Sequence, residues 1–255
     1  REKRSMCSNT RNVVDDYMEC RNGGVYSVTG RFNKFWSEWR SFVVFVVVML
    51  IFRSAIADWN QVPSGSMKPS ILPGDRIVVD KLAYDLAVPF TWVRIFRWGE
   101  PKRGDVVTFD NPQDERLFVK RVIGVPGDVV ELRRNRLFIN GDKASYEPLG
   151  PDEIAELPIP NASAHRFFRE SVLGDSRVIM VNRRATGTYS TFPPQEIPAG
   201  YYLMLGDNRD NSSDSRRIGL ITRDRIMGRA HAVAFSVDLD KYYLPRLARF
   251  FTDLP

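Results

Sequence analysis

The chain has 255 residues, 43% hydrophobic and 27% charged, with 37 Lys+Arg against 31 Asp+Glu and a formal net charge of +6. That length holds one or two domains with a sizeable core, and the balance of apolar and charged residues excludes a disordered or collagen-like chain. Two cysteines exclude a disulfide scaffold and a multi-cysteine zinc module, and two distant histidines, His165 and His231, argue against a histidine-rich metal site.

Residues 1–40 carry eight basic and five acidic side chains, a net +3; the remaining 215 residues carry the other 29 basic and 26 acidic ones, again +3. No long Lys/Arg run occurs, so nucleic acid is not an expected partner. Phe42 to Phe52 reads FVVFVVVMLIF, eleven apolar residues without a break. A helix over residues 42–59 would be about 27 Å long, close to the hydrocarbon thickness of a bilayer. Arg53 near its far end can snorkel to the headgroups, and Trp36, Trp39 and Trp59 flank the run as interfacial anchors. The expectation is one transmembrane anchor over residues 41–58, with 1–40 on the cytoplasmic side because of its positive excess and 59–255 outside. Eleven residues also suit a buried core segment. A cleaved signal peptide fits less well, because the run sits 41 residues in and no obvious cleavage site follows. Cys7 and Cys20 would both lie inside. Arg1 is not a methionine, and whether a further span precedes it is left open.

After residue 59 the pattern becomes short β-like runs with turn punctuation. Strands are expected near 76–80, 105–109, 117–123, 128–132, 136–140, 177–181, 201–205 and 230–236. Between them Gly-Asp recurs, glycine supplying positive φ and aspartate capping turns. Residues 143–200 are richer in proline and polar residues and read as an inserted subdomain. The tail 242–251 mixes aromatics with Arg246 and Arg249 and suits either a lipid contact or a surface helix.

Three segments carry chemistry. Gln61–Asp75, QVPSGSMKPSILPGD, places Ser64 and Ser66 around Gly65. A serine hydroxyl is a weak nucleophile without an adjacent base, and Ser64 or the Ser66 N–H could donate to an oxyanion. Read alone, the segment is equally a flexible linker. Leu117–Val125, LFVKRVIGV, sets Lys120 on the same strand face as Phe118 and Val122, with Arg121 opposite. Apolar walls disfavour an ammonium and lower its pKa towards the range of a working base; an edge lysine reaching water is the alternative. Gly206–Gly219, GDNRDNSSDSRRIG, concentrates Asp, Asn and Ser after an apolar run. An EF-hand reading fails there, since counts from Asp207 or Asp210 put Ile218 or Ile221 at the twelfth position. Arg103-Gly104-Asp105 and the sequons at Asn161 and Asn211 are set aside as chance matches or as relevant only in a eukaryotic secretory route.

Together these segments resemble the bacterial type I signal peptidases, or leader peptidases. The matching stretches are PSGSMKPS with ILPGD (63–75), RGDVVTF (103–109), VKRVIGVPGD (119–128) and GDNRDNSSDSRRIG (206–219), followed by MGRA (227–230). They occur in the family's order and extend over most of residues 59–236. The resemblance implies a mainly β fold: a β-rich peptidase unit with an inserted β subdomain, preceded by one membrane helix. It implies Ser66 as nucleophile and Lys120 as general base, a Ser-Lys variant of triad logic that needs no histidine. It implies Ser64, with the Ser66 N–H, as the oxyanion hole, Ser212 as the hydroxyl orienting the lysine amine, and Asp214 and Arg216 as a supporting pair. Val62, Pro63, Met67, Ile71 and Phe118 would line shallow apolar subsites for small residues. Ser70 departs from the family's usual threonine, and many Gram-negative members have two spans where one is visible here.

The implied partners are signal-peptide-bearing preproteins and membrane lipid, with no metal and no cofactor. The implied place is the bacterial inner membrane, with the peptidase domain on the periplasmic side. A specialised relative that matures one dedicated substrate, such as a conjugation-pilus protein, is the alternative.

Overall fold

The strand Leu117–Gly124 is buried without interruption from Lys120 onward, because it lies inside a sheet rather than at its edge. The computed structural model describes residues 39–50, 57–87, 93–114, 116–184 and 189–254. Residues up to 50 form one unit and residues from 51 onward another. In the first, residues 39–50 are helical. Most of the 1–40 segment and residues 51–56 of the expected anchor lie outside the described residues. Among the described residues no helix is long and apolar enough to cross a membrane. Ala57–Gln61 is a strand, so the helix expected over 42–59 does not run to its end.

The second unit is mainly β. Its principal sheet runs, neighbour to neighbour, through Ala57–Gln61, Asp75–Asp80, Ile226–Asp238, Val106–Asp110, Leu117–Gly124, Tyr201–Leu205 and Ile221–Thr222, each pair antiparallel. The 13-residue strand Ile226–Asp238 also takes the short tail strands Leu244–Pro245 and Thr252–Asp253. All eight strands expected from the short β-like runs are present, shifted by a few residues at their ends. The tail forms two short strands and a single 3-10 turn, Leu247–Arg249, instead of a surface α-helix.

The two-stranded ribbon of Asp85–Ala87 with Arg94–Arg97 and two smaller sheets complete the unit among the described residues. One has the order Phe192–Glu196, Val129–Arg133, Arg136–Ile139, Asp142–Lys143; the other is Ser145–Pro148, His165–Val172, Asp175–Asn182. The stretch 143–200 thus holds the strands Ser145–Pro148, His165–Val172, Asp175–Asn182 and Phe192–Glu196 and the short helix Pro151–Glu156, and the last of these strands pairs outside the stretch with Val129–Arg133.

Beside the serine segment the core is Val62, Met67, Ile71, Ile77, Val79, Val106, Ala230 and Val233. Met67 and Ile71, four residues apart and both fully buried, anchor one turn of chain, with the Ile71 N–H donating to the Met67 carbonyl at 3.0 Å. Burying two such side chains contributes about 1.5–3 kcal/mol each. That anchorage holds Ser66, one residue earlier, at the rim of the sheet.

Candidate active site

Strand pairing puts Lys120 opposite Val107, at the centre of the sheet. Its side chain emerges beside Ser66: Lys120 Nζ lies 2.7 Å from Ser66 Oγ and donates to the Val119 carbonyl at 2.9 Å. The amine also sits 5.1 Å from the centre of the Phe118 ring. Lys120 is 3% exposed. Burial pulls its pKa down to about 8, against the opposing fields of Asp214 and Asp207. An amine with that pKa is neutral in a substantial fraction of molecules at mildly alkaline pH and can accept a proton from a hydroxyl.

Ser64 Oγ stands 3.3 Å from Ser66 Oγ, and either hydroxyl can donate. Both line a cavity of about 600 Å³ whose walls include Val62, Pro63, Met67, Phe118 and Lys120. Asn60 and Gln61 border it on one side, Asn211 and Ser213 on another. Ile71 does not belong to this lining. It is fully buried in the core behind Met67, because the turn that exposes Ser66 points position 71 inward.

The loop Gly206–Gly219 grips the serine segment. The Asn208 N–H donates to the Ser66 carbonyl at 3.1 Å, and Asn208 Nδ2 donates to the Gly65 carbonyl at 3.0 Å. Ser70 Oγ donates to Asp207 at 2.6 Å. Asp207 also receives Arg121, so the strand of Lys120, the serine segment and this loop meet at one buried carboxylate. Sequence reading gave Asn208, Asp207 and Arg121 no individual role. Their partners are 86 to 143 residues away, which no local pattern encodes. Arg249 of the tail donates to the Ser70 carbonyl at 2.9 Å and to Asp75 at 2.7 Å, holding the same segment from behind.

Asp214 and Arg216 form a buried pair at 2.7 Å. The Asp214 carboxylate accepts the Gly206 N–H at 3.0 Å, while Arg216 donates to the carbonyls of Arg209 at 2.7 Å and Tyr189 at 2.9 Å. The pair therefore fixes both ends of the loop. Gly206 is tightly enclosed: a Cβ there would meet Ser212 Oγ at 2.3 Å and the Ser66 carbonyl oxygen at 2.5 Å. Ser212 is thus close to the serine segment, but its buried Oγ has no hydrogen-bond partner among the described residues. The expected contact between Ser212 and the lysine amine is not formed in this structure.

The family model for "Signal peptidase, peptidase S26" matches residues 36–235. A signal peptidase I from Pseudomonas fluorescens is 36% identical over 225 residues, 82% of this chain and 76% of that one. One from Pseudomonas aeruginosa is 34% identical over 211 residues, 77% and 71% of the two chains. Among solved structures, a signal peptidase I from Enterococcus faecalis V583 matches with 27% identity over 51% of this chain and 97% of that chain, at a TM-score of 0.31. This chain belongs to the peptidase S26 family. Its enzyme class is type I signal peptidase, and its reaction is the removal of signal peptides from preproteins. These relatives all bear the name signal peptidase I, which lends no support to an enzyme dedicated to one pilus protein.

Proposed function

We propose that the chain cleaves signal peptides by a Ser66–Lys120 mechanism. The observation that carries the reading is the 2.7 Å approach of a buried lysine amine to a serine hydroxyl in the wall of an apolar groove. With one N–H held by the Val119 carbonyl, the neutral amine turns its lone pair to the Ser66 hydroxyl. Lys120 takes that proton as Ser66 Oγ attacks the scissile carbonyl carbon. The oxyanion is received by Ser64 Oγ and the Ser66 N–H. Collapse of the tetrahedral species breaks the C–N bond, and the Lys120 ammonium returns its proton to the leaving amine. Water, deprotonated by Lys120, then hydrolyses the acyl-serine ester, and Ser66 recovers its proton.

Ser212 keeps the role of orienting the amine, since its buried hydroxyl beside Gly206 has donor and acceptor capacity to spare. Asp214 and Arg216 support the loop that carries it. Val62, Pro63, Met67 and Phe118 receive small apolar residues before the cut.

The same reading anchors the chain in the bacterial inner membrane through 41–58, with 1–40 cytoplasmic and 59–255, including the 143–200 insertion, on the periplasmic side. The apolar run from Phe42 supports it. Alkaline extraction tests the anchor: a wholly soluble chain overturns it. The dyad is tested by cleavage of a preprotein in detergent. Ser66→Ala and Lys120→Ala should each lower kcat by about a thousandfold or more; near-normal turnover by Lys120→Ala overturns the mechanism.

A further inference from the structure

Another cleft, of about 290 Å³, is lined among the described residues by Arg134, Arg136, Arg166, Arg183 and Arg184 and by a single carboxylate, that of Asp210. Arg134 and Arg136 come from the hairpin joining Val129–Arg133 to Arg136–Ile139, Arg166 from the strand His165–Val172, and Arg183 and Arg184 from the end of Asp175–Asn182. Fifty residues separate the first from the last, so no run in the sequence marks the cluster; the fold gathers it.

Among the described residues none of these five arginines makes an ion pair. Arg134, Arg166, Arg183 and Arg184 are exposed. Arg136 lies over Tyr146 at 4.2 Å and Phe168 at 5.3 Å, held by the aromatic faces in the cleft wall. The Asp210 oxygens accept from Asn135 Nδ2 at 2.8 Å and from the Asn182 N–H at 2.7 Å, pinning the loop Gly206–Gly219 to the cleft wall. Gathered cations of one sign with few carboxylates among them attract and hold anions.

The position of the cleft says which anion. Asp210 lines it, and the next residue, Asn211, lines the substrate groove. The two openings share one peptide link of one loop, and an extended polypeptide advances about 3.3 Å per residue. We infer that this cleft is an exosite for acidic side chains in the mature part of the preprotein, downstream of the cut. The aromatic floor of Tyr146 and Phe168 suits an extended peptide, and continuity with the groove favours a substrate segment over a lipid headgroup. The assignment rests on the Ser66–Lys120 reading for the place of the cut.

The test uses the full chain in detergent with pairs of preproteins identical through the cleavage region. They carry Glu-Glu or Gln-Gln at successive positions over about ten mature residues, a reach of roughly 33 Å. At one spacing the acidic substrate should show kcat/KM about fivefold higher, through KM, the effect of a pair of exposed ion pairs. The preference should fade with salt, and Arg166→Gln with Arg183→Gln should bring the ratio to about one.

A binding measurement on the Ser66→Ala protein separates the two readings. A labelled mature-segment peptide without a cleavage site should bind more tightly in its Glu form, and equal affinities for Glu and Gln forms overturn the exosite even where both preproteins are cut. Selective binding without any cleavage by the wild type would support the exosite and sink the dyad. Equal peptide affinities with an Arg166- and Arg183-dependent preference for phosphatidylglycerol-containing over neutral micelles would give the cleft to lipid instead, and overturn the inference.

Discussion

Arg121 meets Asp207 with two parallel hydrogen bonds, Nε to one carboxylate oxygen at 3.0 Å and Nη2 to the other at 2.8 Å, and both residues are 1% exposed. The pair welds the strand that carries the lysine to the loop that grips the serine. Breaking a buried pair by removing one partner strands a charge and costs about 3–5 kcal/mol. Arg121→Gln should therefore lower the denaturation midpoint severely. Arg121→Met combined with Asp207→Leu should lose less than Arg121→Gln alone. A double variant as unstable as the sum of both singles would contradict this account.

Lys120 must be neutral to accept a proton, and burial brings its pKa down to about 8. The rate of acylation should rise as pH increases through about 8 and level off above it. A profile of kcat against pH for a preprotein checks this; a rate that holds down to pH 5 would rule out lysine as the base.

The same burial costs stability. The folded state resists protonating Lys120, so the cost is full below about pH 8 and disappears as pH rises towards 10.5, where the unfolded chain also loses its proton. Lys120→Met keeps the bulk and removes the charge. Its midpoint should exceed that of the wild type by several degrees at pH 6 and by progressively less above pH 8, in thermal melts run across that range. Activity should be lost throughout.

Ser212 offers a separation of roles. Its buried hydroxyl has no hydrogen-bond partner among the described residues, a situation that costs on the order of 1–3 kcal/mol. Ser212→Ala should melt no lower than the wild type while kcat falls about tenfold or more with little change in KM. Normal kcat would remove Ser212 from the mechanism, and a fall in stability would show that the hydroxyl has a partner in solution.

Glu170 is enclosed by arginines. Burial alone would raise its carboxyl, but Arg209 and Arg177 hold it down at about 2. The stability it contributes is present above the ordinary carboxylate range and is lost as pH falls from about 4.5 towards 2. Glu170→Gln should flatten that part of the acid-unfolding curve; an unchanged curve would show that the triad does not govern it.

The central strands of the principal sheet are legible as short apolar runs between turns because most of their residues are buried. Lys120 stood out because a charge interrupted an apolar run. The strand His165–Val172 did not, since Glu170 occupies a buried position that a hydrophobic pattern would reserve for an apolar side chain. Ile71 lies in the core and not in the groove lining for a related reason. Its turn follows helical spacing with Met67, and only the packing decides which of the two borders the opening. Arg121 was placed on the correct face, but both faces of that strand are covered, and its carboxylate lies beyond the range of any motif. The arginines of the second cleft were invisible for the same reason.

Gly206 gives the site a tolerance that chemistry alone does not explain. A single methyl group at that position would collide with the hydroxyl of Ser212 and the carbonyl of Ser66. The spacing between the two hydroxyl-bearing segments is therefore set by a hydrogen atom. Every other amino acid would act there as a wedge, and alanine, ordinarily the mildest of substitutions, should be among the most damaging in the chain.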